Sequence, residues 1–337
     1  VEGVAILRIA IDAMGGDHAP KMNVEGAVLA AKQWSNIEIV LIGDTNQMEP
    51  FLNERPANLH LVHTTEVIEA EDEPVRAVRR KKDASMVVGG RMLREREVDA
   101  FISAGNTGAL VVTGLLVVGR VSGIERPALA PIMPSMKGGG TLALDLGANP
   151  DASPENLLQY AIMGSIYRNK VDGVERPRVG LLNVGTEEMK GNELSKAAYV
   201  LLKEGPFEFI GNVEARDVFQ GVCDVLVCDG FSGNIMLKAA EGTVSVIFSE
   251  LKKQFVSTWY TKIAAAVLAP GLRAFRKKMD YTEHGAAPLL GIDGLVLKSH
   301  GSSDAKSIKN AVRQAIVSIE SQLVQSISIE INKGKQT

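Results

Sequence analysis

Leu7-Arg8-Ile9-Ala10-Ile11-Asp12-Ala13-Met14-Gly15-Gly16-Asp17-His18-Ala19-Pro20 runs from a short β-branched stretch into a polar turn with two glycines. Residues 22–34 follow with Val24, Ala27, Val28 and Ala31 on one helical face. This strand, turn and helix set the pattern for the chain. Residues 37–42 form the next strand candidate, ending in Gly43-Asp44-Thr45, which caps another helix. Further β-branched runs lie at 59–63, 98–103, 129–133, 141–146, 178–184, 207–210 and 224–228, with helical stretches between most of them. Several are apolar in both registers, as strands covered by helices on both faces must be. The alternation predicts βαβ units, hence an α/β fold: a three-layer αβα, doubly wound, mostly parallel sheet.

From residue 232 to 279 the pattern turns to nearly unbroken helix, interrupted at Pro270-Gly271, and a long helix from near Ser303 ends the chain. No solenoid-period repeat or low-complexity linker occurs. A single α/β domain over 7–337, with a helical hairpin excursion at 250–282, is therefore expected. Residues 1–6 precede the first strand and lack a basic start with a long apolar core, so they read as a leader or expression remnant.

Composition narrows the classes. The 337 residues allow two domains at roughly 150 residues each, or one large α/β domain. With 45% hydrophobic and 23% charged residues, disorder, collagen and coiled coil are excluded. A net charge of −3 supplies no basic field for nucleic acid. Cys223 and Cys228 are too few for a disulfide scaffold or a four-cysteine zinc site, which suits a reducing cytoplasm. The most apolar run, 109–118, is about half the ~20 residues needed to cross a bilayer, so it reads as a buried helix. The 33 glycines against 5% aromatics point to many tight strand-to-helix turns.

Those turns share a style. Five strand candidates run into polar, glycine-containing segments at 12–20, 103–108, 145–149, 183–188 and 229–234. Ligands of open parallel sheets bind beyond such strand ends. Glycine lets backbone N–H groups approach a ligand, and a helix N-terminus favours negative charge there. Together the five ends predict an anion or phosphate cleft, although each polar residue taken singly also serves as a helix cap. Candidate phosphate ligands are Gly15, Gly16, Asn106, Thr107, Gly108, Asp145, Asn149, Asn183, Gly185, Thr186, Ser232, Gly233 and Asn234. Neither a G-x-x-x-x-G-K-[ST] loop nor a G-x-G-x-x-G fingerprint is present, so ATP and dinucleotide readings lose their main support. Gly230-Phe231-Ser232-Gly233 fails the G-x-S-x-G spacing, and the two cysteines read as core. No covalent nucleophile stands out.

The blocks IDAMGGDHAP at 11–20, SAGNTGA at 103–109, LDLGAN at 144–149, NVGTEE at 183–188, CDGFSGN at 228–234 and KSHGSSD at 298–304 together closely resemble the PlsX family of bacterial phosphate acyltransferases. The resemblance runs from Leu7, where the family pattern usually begins with Met, to the C-terminal helix. It implies transfer of a long-chain fatty acyl group from acyl-acyl carrier protein to inorganic phosphate, giving acyl phosphate for phosphatidic acid synthesis. It also implies a homodimer with a fold like isopropylmalate dehydrogenases and phosphotransacetylases; no cofactor is expected and no metal ligand is assigned. A cytoplasmic protein in peripheral contact with the membrane, and with the downstream glycerol-3-phosphate acyltransferase, is expected.

In such a reaction phosphate is the nucleophile, so the protein must position it and stabilise charge. His18 and His300 are the candidate proton donors, and Asp12, Asp145 and Asp229 could orient a histidine or accept a phosphate proton. Lys21 and Lys306 are candidate cations for phosphate. Acyl carrier proteins are acidic, and the densest basic tract, 76–82, offers Arg79, Arg80 and Lys82 for docking, with Arg91, Arg94 and Arg96 beyond it. Leu251, Phe255, Trp259, Ile263 and Val267 recur every four residues. Leu272, Phe275 and Met279 follow, interleaved with Arg273, Arg276, Lys277 and Lys278. This pattern suits either an interfacial membrane contact or dimer packing. The competing functions are a phosphotransacetylase acting on short acyl-coenzyme A, a non-catalytic membrane-associated scaffold, and, more distantly, a dehydrogenase.

Overall fold

A computed structural model describes residues 6–279 and 285–333, without the side chains at 273, 274 and 276–279. The expectations for residues 1–5, for the basic side chains Arg273, Arg276, Lys277 and Lys278 with Met279, and for 280–282 lie outside the described residues. The chain opens with β1 (Leu7–Asp12), α1 (Lys21–Gln33), β2 (Ile37–Gly43), α2 (Thr45–Met48), β3 (Leu59–His63) and α3 (Pro74–Arg80). Next come α4 (Ser85–Arg94), β4 (Ala100–Ser103), α5 (Thr107–Thr113), β5 (Ala128–Leu129), β6 (Ile132–Met133) and β7 (Thr141–Leu144). The middle of the chain holds α6 (Pro154–Lys170), β8 (Arg178–Asn183), α7 (Glu193–Lys203), β9 (Glu208–Glu214) and β10 (Val225–Val227). Two long helices, α8 (Gly230–Phe255) and α9 (Trp259–Met279), precede β11 (Ala287–Leu290), β12 (Leu295–Lys298), α10 (Ala305–Glu320) and α11 (Leu323–Lys333).

The strands divide between a seven-stranded sheet, β3-β2-β1-β4-β12-β11-β5, and a five-stranded sheet, β6-β7-β10-β8-β9. Pairing is parallel except where β11 meets β12 and β5, and where β6 meets β7. The double-sided apolar strands do what their composition requires. Ile9 and Ile11 pack with Val24 and Ala27 of α1 and Ile308 of α10, while Ala10 and Val40 face Val87 of α4 on the other side. The first cluster continues into the second sheet through Leu142, Leu144, Val225 and Tyr160, so one apolar layer joins both sheets.

The parallel α/β reading holds, but the strands form two sheets where one was expected. The crossover explains the difference. Residues 129–133 read as one strand, yet β5 joins the first sheet and β6 the second, because Pro131 lacks the N–H that a continuing ladder needs. β11 and β12 went unread: each is four residues long, and Pro288 inside β11 argues against a strand. The turn between the long helices falls at 256–258 and not at Pro270, which lies inside α9. Local hydroxyls set it. Ser257 Oγ donates to Gln254 O at 2.8 Å, and the Thr261 N–H donates to Thr258 Oγ1 at 3.3 Å. The apolar stripe from Leu251 to Val267 is therefore split over two helix arms. The final helix is likewise broken, at Gln322, whose φ of 54° is left-handed.

The sheets are also tied by a buried amide. Gln314 of α10 donates through Nε2 to Tyr167 Oη of α6 at 2.8 Å, and its Oε1 accepts from Ala286 N at 2.8 Å. Gln314→Leu strands both partners, and the expected loss is about 2–4 kcal/mol in urea unfolding. A change under ~1 kcal/mol would show that the tie carries no weight.

Candidate active site

A cleft of about 1050 Å³ opens between the sheets, beyond the carboxyl ends of β1, β4 and β12 on one side and against the β7 turn and α8 on the other. The chain winds outward from β1 through β2 to β3 and returns to place β4 on the opposite flank of β1. Such a reversal leaves a crevice at the strand ends, which is where parallel sheets bind ligands.

The floor of the crevice is backbone packed on backbone. A Cβ on Gly15 would sit 2.6 Å from Gly105 N and 2.6 Å from Asp12 Oδ2. Gly16, at φ +103°, leaves room for Gly301 O, and the Asp17 N–H donates to that carbonyl at 2.8 Å. Asn23 of α1 fixes the turn from beneath, donating to Ala13 O at 3.0 Å and Gly15 O at 2.8 Å. Asn106 caps α5 by accepting from Ala109 N, and its amide donates to Ala70 O at 2.9 Å, which holds the 69–72 wall.

Charge is arranged in depth. Asp12 is buried and accepts from Ser85 Oγ at 2.6 Å, Ser103 Oγ at 2.7 Å and Met14 N at 3.1 Å. Burial pushes its carboxyl above the usual range, and those hydrogen bonds oppose the shift only in part. Lys298, at the end of β12, lines the cleft and is 9% exposed. Its Nζ donates to Ala104 O at 3.2 Å and to Ser299 O. Burial brings its ammonium down to about 8, with Asp12 and Asp17 opposing. An ammonium has three N–H donors, so two carbonyls leave one for a ligand. The Ser299 hydroxyl beside it is buried with no partner among the described residues. An oxyanion would satisfy both groups. His300 follows, its pKa lowered by burial and then by Lys298. Ser302 N donates to its Nδ1 at 3.2 Å, so the neutral ring carries its proton on Nε2.

The structure gathers some of the sequence-predicted residues and disperses others. Gly16, Asn106, Thr107, Gly108, Asn149, Asn234 and His300 line the cleft, with Asp12 and Gly15 directly beneath. Asp145 organises the β7 turn, accepting from Asn149 N at 2.6 Å, Ala148 N at 3.1 Å and Leu129 N at 3.3 Å. Asn149 spends its amide on Pro127 O and Tyr160 Oη. Gly233 lies tight under Asp145 O, and Asp229 caps α8 by accepting from Ser232 N at 2.8 Å. Asp229 and Ser232 face a separate hollow of about 620 Å³. His18 and Lys21 are exposed at the start of α1, and Lys306 is exposed on the first turn of α10, all outside the cleft lining. Asn183, Gly185 and Thr186 belong to a loop that Asn183 closes on Lys190 O, also away from the cleft. The thiols of Cys223, pushed up to about 12, and Cys228, also pushed well up by burial, are buried core groups.

Lys298, Ser299, Ser85 and Ser103 were missed as site residues. Lys298 left a signal, a cation closing the apolar run Leu295-Val296-Leu297, whereas Ser85 has no motif around it. Among the described residues no group of three or more His, Cys, Asp or Glu is placed to hold a metal.

The chain belongs to the fatty acid synthesis protein family, whose pattern matches residues 7–326. It is 57% identical over 329 residues to a phosphate acyltransferase of Brevibacillus brevis, covering 97% of this chain and 98% of that protein. A phosphate acyltransferase of Geobacillus sp. is 54% identical, covering 97% and 99%. The chain is thus an enzyme of the acyltransferase class. Among solved structures, a phosphotransacetylase from Streptococcus pyogenes superposes with a TM-score of 0.61 at 16% identity, covering 95% of this chain and 94% of that one. A branched-chain phosphotransacylase from Enterococcus faecalis gives 0.54 at 12% identity, covering 93% and 99%. They share the fold.

Sulfate, whose charge is fixed over the range, should bind more weakly as pH rises through about 8, because the Lys298 cation is lost there. Calorimetric titration from acid to alkaline side should show this limb, and Lys298→Arg should remove it, since a guanidinium stays charged. A flat profile in the unaltered protein would remove Lys298 from the anion site.

Proposed function

We propose that this member of the fatty acid synthesis protein family transfers a long-chain fatty acyl group from acyl-acyl carrier protein to inorganic phosphate. The observation that carries this reading is the buried Lys298 ammonium beside the Ser299 hydroxyl, which has no partner among the described residues, in the β1–β4 crevice. Those two donors and the turn amides suit a small multivalent anion. Phosphate held there attacks the thioester carbonyl. Its oxygen bonds to the acyl carbon, the carbon–sulfur bond breaks, and the thiolate leaves with the electron pair. A thiolate is a good leaving group that departs without a proton donor, and the Nε2–H of the neutral His300 ring can hydrogen-bond to the departing sulfur while the proton is taken from solvent. The protein's task is positioning and stabilising the developing oxyanion, for which Lys298 is the fixed charge. The buried thiols are unsuited to forming an acyl-enzyme.

The carrier protein is expected on the basic tract. Arg76, Arg79, Arg80 and Lys82 are exposed on or just after α3, with no ion pair among the described residues. Lys81 is instead occupied, bridging Asp72 at 2.6 Å and donating to Val67 O. The helix arms suit the membrane or a second copy of the chain. Trp259 is 74% exposed and Val267 75%, with Ile263 and Phe275 also exposed and Phe255 and Leu272 half-buried. No described helix is long and apolar enough to cross a membrane, so the contact would be peripheral, in a cytoplasmic homodimer delivering acyl phosphate to a membrane acyltransferase.

Purified protein supplied with phosphate and carrier-linked palmitoyl thioester should release acyl phosphate, and Lys298→Met should lower kcat by about a hundredfold or more. Faster turnover of short acyl-coenzyme A than of the carrier-linked donor would favour the phosphotransacetylase reading. Reversing Arg79, Arg80 and Lys82 to glutamate should raise KM for the carrier-linked donor and flatten its salt dependence. An unchanged KM would remove this patch from docking. Trp259→Glu should reduce co-sedimentation with anionic liposomes; equal sedimentation would leave the arms to dimer contact.

A further inference from the structure

The most apolar run of the sequence, 109–118, is only half explained by core packing. One side of α5 is core: Ala109, Leu110 and Thr113 are buried against α4 and β11, and a Cβ on Gly114 would meet Leu289 at 2.8 Å. The other side serves both core and cavity: Val111 is itself buried, and the half-buried Val112 and Leu115 pack on the same cluster while still reaching the cleft. Gly108, Val111, Val112 and Leu115 recur at i, i+3, i+4 and i+7, and all four line the cleft. At 1.5 Å per residue this stripe carries an apolar wall about 12 Å from the polar N-terminus of α5 at Thr107. Its last member lies on a π turn, Gly114–Val118, closed by the Gly119 N–H donating to Gly114 O at 2.8 Å. Wide turns of this kind recur at functional sites. Across the cleft stand Leu129, Pro131 and Ile132 of the sheet-to-sheet crossover, with Leu237 of α8. The cavity thus combines the Lys298 ammonium and Ser299 hydroxyl with an apolar wall along α5 and the crossover, in a lining that also carries Glu69, Glu73, Arg126 and Lys238.

Resting on the acyl-transfer reading, we infer that this wall holds the hydrocarbon chain of the acyl donor, and that Val112 and Leu115 set the length it accepts. The carbonyl carbon lies near Thr107, within reach of a phosphate on Lys298, and the chain runs along α5 between the helix and the crossover. Charge fixes one end of the substrate and apolar burial measures the other. Each methylene buried along the wall multiplies kcat/KM about fourfold, and the gain stops where the wall ends.

The test compares kcat/KM for butanoyl, octanoyl and palmitoyl thioesters, alongside calorimetric binding of the matching acyl phosphates. Val112→Phe and Leu115→Phe should each lower the palmitoyl-to-butanoyl ratio by about tenfold or more, in turnover and in binding. Leu116→Phe is the control: Leu116 is 53% exposed and outside the cleft lining, so its ratio should match the unaltered protein. Val112→Leu, a single methylene larger, should shift the ratio the same way if a ring does not fold. Unaltered ratios in folded Val112 and Leu115 variants, or an equal shift in Leu116→Phe, would overturn the assignment. If no donor of any length turns over, the acyl-transfer reading fails, and the binding ratios still decide whether the wall gauges chain length.

Discussion

Contact between the backbones of three turns, those after β1, β4 and β12, is the constraint on which the cleft depends. A methyl group at Gly15 would strike both a main-chain nitrogen of the β4 turn and the Asp12 carboxylate. Glycine removes the obstacle, and the turns close to hydrogen-bond distance, as Asp17 N to Gly301 O shows. The three turns then border one cleft, with Gly16, Gly105 and Gly301 all in its lining. Side chains alone would hold an anion less rigidly, because each must first lose its own rotamer freedom.

The same closeness buries Asp12 and Lys298 near one another. Burial moves the acid up and the base down, each toward its neutral form; hydrogen bonds from Ser85 and Ser103 oppose the first movement, and the Asp12 and Asp17 charges oppose the second. The sign for stability is definite. Lys298 binds its proton less tightly in the folded chain than in the unfolded one, so its burial costs stability at pH below about 8. That cost shrinks as pH rises toward the ordinary lysine value, since the unfolded chain holds more protons over that range. The folded state thus accepts an electrostatic cost where the cation is most useful, and the two serines on Asp12 limit it.

Much of this was legible in the sequence, and what was not has identifiable causes. Strand and helix alternation gave the α/β class because β1, β2 and β4 are apolar in both registers and covered on both faces. The division into two sheets was hidden in Ala130-Pro131, where a single imino acid ends one ladder and lets the next begin in another sheet. Of the five strand ends rich in glycine and small polar residues, those at 12–16, 103–108 and 145–149 border the cleft. The same style at 183–188 and 229–233 serves loop closure and helix capping, because Asn, Asp and Ser satisfy backbone amides as readily as they meet a ligand. Composition does not tell these uses apart. Lys298 and Ser299 were missed because their roles come from depth, and depth is fixed by where β12 inserts, which neither residue reveals locally.

That insertion also orders events during folding. The second sheet draws its strands from one stretch, residues 132–227, so its contacts can form as that stretch becomes available. The first sheet instead receives β12 between β4 and β11, after almost two hundred intervening residues, as the register of Leu295 on Ala100 records. Pairings of such long sequence separation are slow and late. Lys298, Ser299 and His300 arrive with that strand. Closing the sheet and bringing Lys298 to the cleft are therefore the same step, and a nascent chain still short of β12 has neither.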